Sequence, residues 1–166
     1  MFYYHLAIAA ILVQSANSQV ITETNWLNHP QIVEIRAFVS TVDQQITRKE
    51  LAVLEKSVSG DHLCNDRTLA SDSQGRPIRL TLSCGSDDSV LFSTFYYDPF
   101  GVLRFAFFKG NAVVGSSIEH RIYFDSQGRQ IWQSHLIIKG SDYPFSWAWE
   151  DNRLPRDPIL EFNADN

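Results

Sequence analysis

Five histidines, two cysteines and one acid–base–guanidinium group (Glu119, Arg121 and His135) carry most of the reactive chemistry in this 166-residue sequence. The histidines (His5, His29, His62, His120 and His135) stand apart, with no helical ligand pair and no cluster at metal-binding spacing. If residues 118–136 fold as a hairpin turning at Asp125, Glu119 and His135 become cross-strand neighbours on a polar face with Arg121. A carboxylate beside an imidazole either orients it as a general base or forms a surface pair, and the surface pair is the commoner outcome. His120 then lies on the apolar face opposite Ser134, where a core histidine bonded to a hydroxyl is expected rather than half of a catalytic dyad. No nucleophile elbow and no phosphate-cradling glycine loop accompanies these residues. The Asp-x-x-Gly segments bring one carboxylate each, too few for calcium. No catalytic, cofactor-binding or metal-ligating residues are therefore assigned, and a small hydrolase built on Glu119 and His135 is the least favoured function.

Cys64 and Cys84 match no zinc spacing. In an oxidising compartment an even pair implies one disulfide, which here closes a loop of about twenty residues and contributes roughly 3 kcal/mol. Two separate buried thiols are the alternative. The aromatic residues Phe92, Tyr96, Phe108, Tyr123, Trp147 and Trp149 exceed what one core face accommodates. Either they form an exposed surface that stacks on sugars or fills a partner's pocket, or a second layer made by residues 48–58 or the tail covers them. A net charge of −5 without any Lys/Arg cluster argues against nucleic acid.

The elements that must position these residues begin after an uncharged N-terminus. Leu6–Val13 is an unbroken apolar run of eight, too short to span a bilayer and suited to a signal-peptide core, with Ala16-Asn17-Ser18 as a cleavage site. A signal peptide at 1–18 and one domain at 19–166 are expected, with no membrane anchor after processing and a periplasmic or secreted location. Asn28-His29-Pro30 opens a helix near 30–47, with Asn28 as its cap. Ile32, Ile35, Val39, Val42 and Ile46 form its apolar stripe, while Glu34, Arg36, Asp43 and Gln44 face away. Residues 48–58 lean towards a strand.

From residue 66 short β-rich runs alternate with three equivalent turns, Asp72-Ser-Gln-Gly75, Asp98-Pro-Phe-Gly101 and Asp125-Ser-Gln-Gly128. Asp first and Gly fourth suit a type I turn closed by a left-handed glycine. The turns fix an expected register. Ile118, His120 and Ile122 face Leu136, Ser134 and Trp132; Phe95 faces Phe105, Tyr96 faces Arg104 and Tyr97 faces Leu103. In the first hairpin Cys64 meets Cys84, with Leu69 left on the outer face. Residues 143–149, alternating Phe145, Trp147 and Trp149, read as a last strand before an irregular tail from about 150. The fold class expected is α+β: an N-terminal helix on an antiparallel meander of six to eight strands, with one disulfide.

Phe95-Tyr-Tyr-Asp-Pro-Phe-Gly-Val-Leu-Arg-Phe105 and Glu119-His-Arg-Ile-Tyr-Phe-Asp-Ser-Gln-Gly-Arg-Gln-Ile-Trp132 together resemble a loose group of exported bacterial proteins. In that group a helix precedes hairpins of the form Tyr-Asp-x-x-Gly-x-Leu. The resemblance spans about residues 30–140 and implies an exported bacterial α+β domain; it carries no activity and no site residues. Export, small size, surplus aromatics and missing catalytic motifs lead to a non-enzymatic module that binds a protein partner, as an inhibitor or immunity-type protein does. A module binding cell-wall glycan through Trp147 or Trp149 is the alternative.

Overall fold

A computed structural model describes residues 19–58 and 64–164; the expected signal peptide at 1–18 and His62 lie outside the described residues. One helix, α1 (Pro30–Thr47), precedes seven strands: β1 (Ala52–Ser57), β2 (Cys64–Ser71), β3 (Pro77–Gly85), β4 (Ser89–Tyr97), β5 (Leu103–Ala112), β6 (Ser117–Phe124) and β7 (Gln130–Lys139). A short helix, α2 (Pro158–Asn163), follows. Each strand pairs antiparallel with the next, so the sheet order is the chain order. This is the expected α+β meander, stapled by a Cys64–Cys84 disulfide.

Pro30 takes the first turn of α1, where its missing N–H costs nothing. The N-cap is His29 rather than Asn28, because Asn28 closes a 3₁₀ turn that begins at Trp26. Ile32, Ile35 and Val42 are buried against Tyr96, Phe105 and Tyr123 of the sheet, with Val39 and Ile46 partly buried at the edge. Asp43 does not face away. Its Oδ1 accepts from the Tyr96 hydroxyl at 2.9 Å and from the Arg79 guanidinium at 3.0 Å.

The opposite face carries a second core, built on Leu69, Leu80, Leu82, Phe95, Phe108, Ile118 and Ile122 and closed by Phe145, Ala148, Leu154 and Phe162. Residues 143–149 are therefore a lid, not a strand. Ser146–Trp149 is a 3₁₀ helix, whose three-residue period turns Phe145 and Ala148 onto the sheet together. Phe145 occupies the space that a side chain on Gly110 would need, since a Cβ there would sit 2.5 Å from its ring. The tail is not irregular either. Asp157 caps α2 through the amides of Ile159 and Leu160, and Pro158 again fills the first position. Arg67 of β2, 1 % exposed, ties this helix down: its Nη1 donates to the carbonyl of Glu161 at 2.8 Å and to that of Ala164. A cation at a helix C-terminus meets the negative end of the peptide dipoles.

The three Asp turns form as expected, with Gly75, Gly101 and Gly128 at positive φ. In each, the Asp Oδ1 accepts two backbone amides, as Asp98 does from Phe100 and Val102. Beyond each turn, however, the ladder slips by one. Ile78, Arg104 and Ile131, each the third residue after the glycine, are bulged. A one-residue slip exchanges the faces of a strand. His120 thus stands opposite His135 rather than Ser134, Ile122 opposite Gln133, and Ile118 opposite Ile137. Phe95 faces Ala106 and Tyr96 faces Phe105, while Tyr97 keeps Leu103. Leu69 faces Leu80 and is buried. Cys64 still meets Cys84, because a second irregularity at Asn65 cancels the slip.

Candidate functional site

α1 crosses the sheet close to the Asp turns, and one side of the helix overhangs a cleft. Arg36, Val39, Ser40, Asp43, Gln44 and Thr47 recur every three or four residues and form its roof. Tyr96, Phe105, Phe107 and Tyr123 form its floor, Arg121 stands beside them, and the volume is about 560 Å³. The floor is aromatic because these positions alternate onto one face of β4, β5 and β6 once the bulges have set the register.

Polar groups within the cleft are unequally committed. Asp43 is held by Tyr96 and Arg79. The Tyr96 hydroxyl is pushed up by burial and by the Asp43 charge. Arg121 pairs with Glu119, and its guanidinium carbon lies 4.8 Å from the centre of the Phe107 ring. Arg36 makes one long contact, 3.4 Å, to the carbonyl of Leu27. Tyr123 is 2 % exposed. Burial raises its pKa while the charges of Arg121 and Arg36 pull it back down, so both guanidiniums lie within electrostatic reach of its hydroxyl. That hydroxyl has no hydrogen-bond partner among the described residues.

The structure therefore brings together Tyr96, Tyr123 and Arg121, with Glu119 alongside. It separates His135 from Glu119 and Arg121. The bulge at Ile131 sets Leu136 opposite Glu119 and turns His135 to the other face. A Glu119–His135 acid–base pair is lost for that reason. Ser40 and Phe107 carry no signal of their own in the sequence, where Arg36 reads only as an outward helix position and Phe105 only as a strand partner. The signal that marks the helical pair is the polar flank at Arg36, Ser40 and Gln44, one step round from the apolar stripe.

On the tail face His120 lies flat against Trp149, with ring centroids 4.3 Å apart and planes 6° from parallel. Its Nδ1 is 3.3 Å from Nδ1 of His135, and His135 Nε2 is 3.3 Å from an Asp142 oxygen. Burial, followed by the His135 charge, lowers the His120 pKa to about 4. Among the described residues no three His, Cys, Asp or Glu side chains converge as a metal site.

The six aromatics do not form one exposed surface. Tyr96 and Tyr123 lie under α1, and Phe108, 1 % exposed, lies beneath Trp149. Trp147 and Trp149 are half-buried, Trp147 under the Arg153 guanidinium. Phe92 is 43 % exposed. Covering layers on both faces, not a single aromatic platform, explain the surplus.

The two edges of the sheet differ. β1 has six residues and carries Glu55 and Lys56. β7 has ten, from Gln130 to Lys139, with its single charge at the last position. Leu136, Ile137 and Ile138 are 51, 44 and 52 % exposed. Beyond its ladder with β6, no backbone hydrogen bond from another described segment reaches residues 130–138. No family model, curated protein or solved structure matches this chain.

Proposed function

We propose that this protein is an exported, non-enzymatic binding module that takes an extended segment of a protein partner along the outer edge of β7. The observation that carries the proposal is the uncovered, uncharged length of that edge. Free strand edges invite pairing, and proteins commonly blunt them with charge, proline or brevity. β1 is blunted by charge and brevity; β7 is not. An added strand gains main-chain hydrogen bonds along the ladder, and alternate apolar side chains meet Leu136, Ile137 and Ile138. Inhibitors and immunity-type proteins act through such contacts. The disulfide supports an oxidising compartment, in which a structural cystine persists. Glycan binding is less well supported, since Trp147 and Trp149 are engaged in packing.

The test is a selection of ten-residue peptides against the protein, followed by amide exchange on the bound state. New protection confined to residues 130–138, with binding lost in a Leu136→Lys/Ile138→Lys double variant, supports the proposal. Selected peptides that protect other segments, or a protein that pairs with itself through β7 in sedimentation, overturn it.

A further inference from the structure

We propose that the cleft beneath α1 is a binding site for a small organic anion, with its charged head held by Tyr123, Arg36 and Arg121 and its apolar body on Phe105 and Phe107. This goes beyond partner binding at β7 and involves different residues.

Three observations support it. First, the volume of about 560 Å³ lies within the range of small-molecule pockets, and aromatic rings line its floor. Second, the Tyr123 hydroxyl is an O–H donor on a residue 2 % exposed, yet it has no partner among the described residues. That donor lines the cleft and is free to meet an acceptor oxygen of a ligand there. Third, the local charge runs against that of the whole chain. The protein carries −5, but three arginines line the cleft. Arg121 pairs with Glu119 and Arg48 lies 4.0 Å from Glu50, Asp43 is held by Tyr96 and Arg79, and among the described residues Arg36 has no carboxylate partner. Arg36 has most of its donors uncommitted, and a planar guanidinium matches a carboxylate, sulfonate or phosphate. A cationic ligand meets the wrong charge here, and a wholly apolar one leaves the hydroxyl unanswered.

The experiment compares two fluorescent probes that differ by one charged group: anilinonaphthalene sulfonate and its uncharged parent, phenylnaphthylamine. The full chain is expected to bind the sulfonate at one site, at least about tenfold more tightly than the parent, since a charge-assisted hydrogen bond discriminates by that much. Tyr123→Phe and Arg36→Gln each weaken the sulfonate about tenfold and leave the parent unchanged. Ser40→Trp, at an exposed helical position on the roof, closes the cleft to both probes, and circular dichroism checks that each variant is folded. Naphthoate, a carboxylate of similar shape, displaces the bound sulfonate. Equal affinity for the two probes, or sulfonate binding that survives Ser40→Trp, overturns the proposal.

Discussion

Trp149 lies flat on His120, which itself faces His135 on the neighbouring strand. The stacked imidazole is held neutral by burial, with its pKa lowered to about 4 from an ordinary 6.5. An unfolded chain takes up that proton near pH 6.5 and the folded one does not until about pH 4. Stability supplied by the neutral ring is therefore complete above pH 6.5 and is lost as pH falls through this window. The expected loss between pH 7 and pH 4 is on the order of 1–3 kcal/mol, since solvent screens part of the effect. Urea titrations across that range measure it, and His120→Gln flattens the slope.

Gly110→Ala forces a methyl group into the ring of Phe145, which is itself buried. A cost of about 1–3 kcal/mol is expected, as for other overpacked cores. Adding Phe145→Leu restores part of it, and thermal unfolding of the single and double variants checks the coupling. Loss of stability without rescue would place the effect elsewhere than at this contact.

Arg67→Ala removes the donor that holds the carbonyls of Glu161 and Ala164. Destabilisation of about 2–3 kcal/mol is expected, because hydrogen bonds from a charged donor are lost in a buried place. Amide exchange at residues 158–163 should rise ahead of exchange in the central strands. Uniform exchange changes across the sheet would contradict a local anchoring role.

Reducing the Cys64–Cys84 bridge, or replacing both cysteines with serine, frees a loop of 20 residues in the unfolded chain. The expected loss is about 3 kcal/mol, with circular dichroism of the native state unchanged because the meander pairs β2 and β3 without it. Guanidinium titration with and without reductant gives the comparison.

Much of this architecture is legible in the residues themselves. α1 follows from Pro30 and the Ile32–Ile46 stripe, and the meander from the three Asp turns, since periodicity and turn chemistry are local properties. The bulges are not legible. Ile78, Arg104 and Ile131 share a position after each glycine but range from isoleucine to arginine, so residue type does not announce the slip that turns His135 away from Glu119. The cleft escapes for a related reason. Tyr96, Tyr123 and Arg121 are recognisable as unusual, but Arg36 joins them only through the angle at which α1 crosses the sheet. The lid at 143–149 reads as a strand because its aromatic alternation suits either a sheet or a 3₁₀ turn, and packing over Gly110 decides between them.

The anchor between Arg67 and α2 also sets an order of assembly. Residue 67 leaves the ribosome long before residue 161, its acceptor. Until residues 145–162 arrive, the tail face of the meander is an open apolar surface with an unmatched cation in it, and the domain cannot close. α2 thus acts as a latch that closes on β2 only after every strand of the sheet has been made.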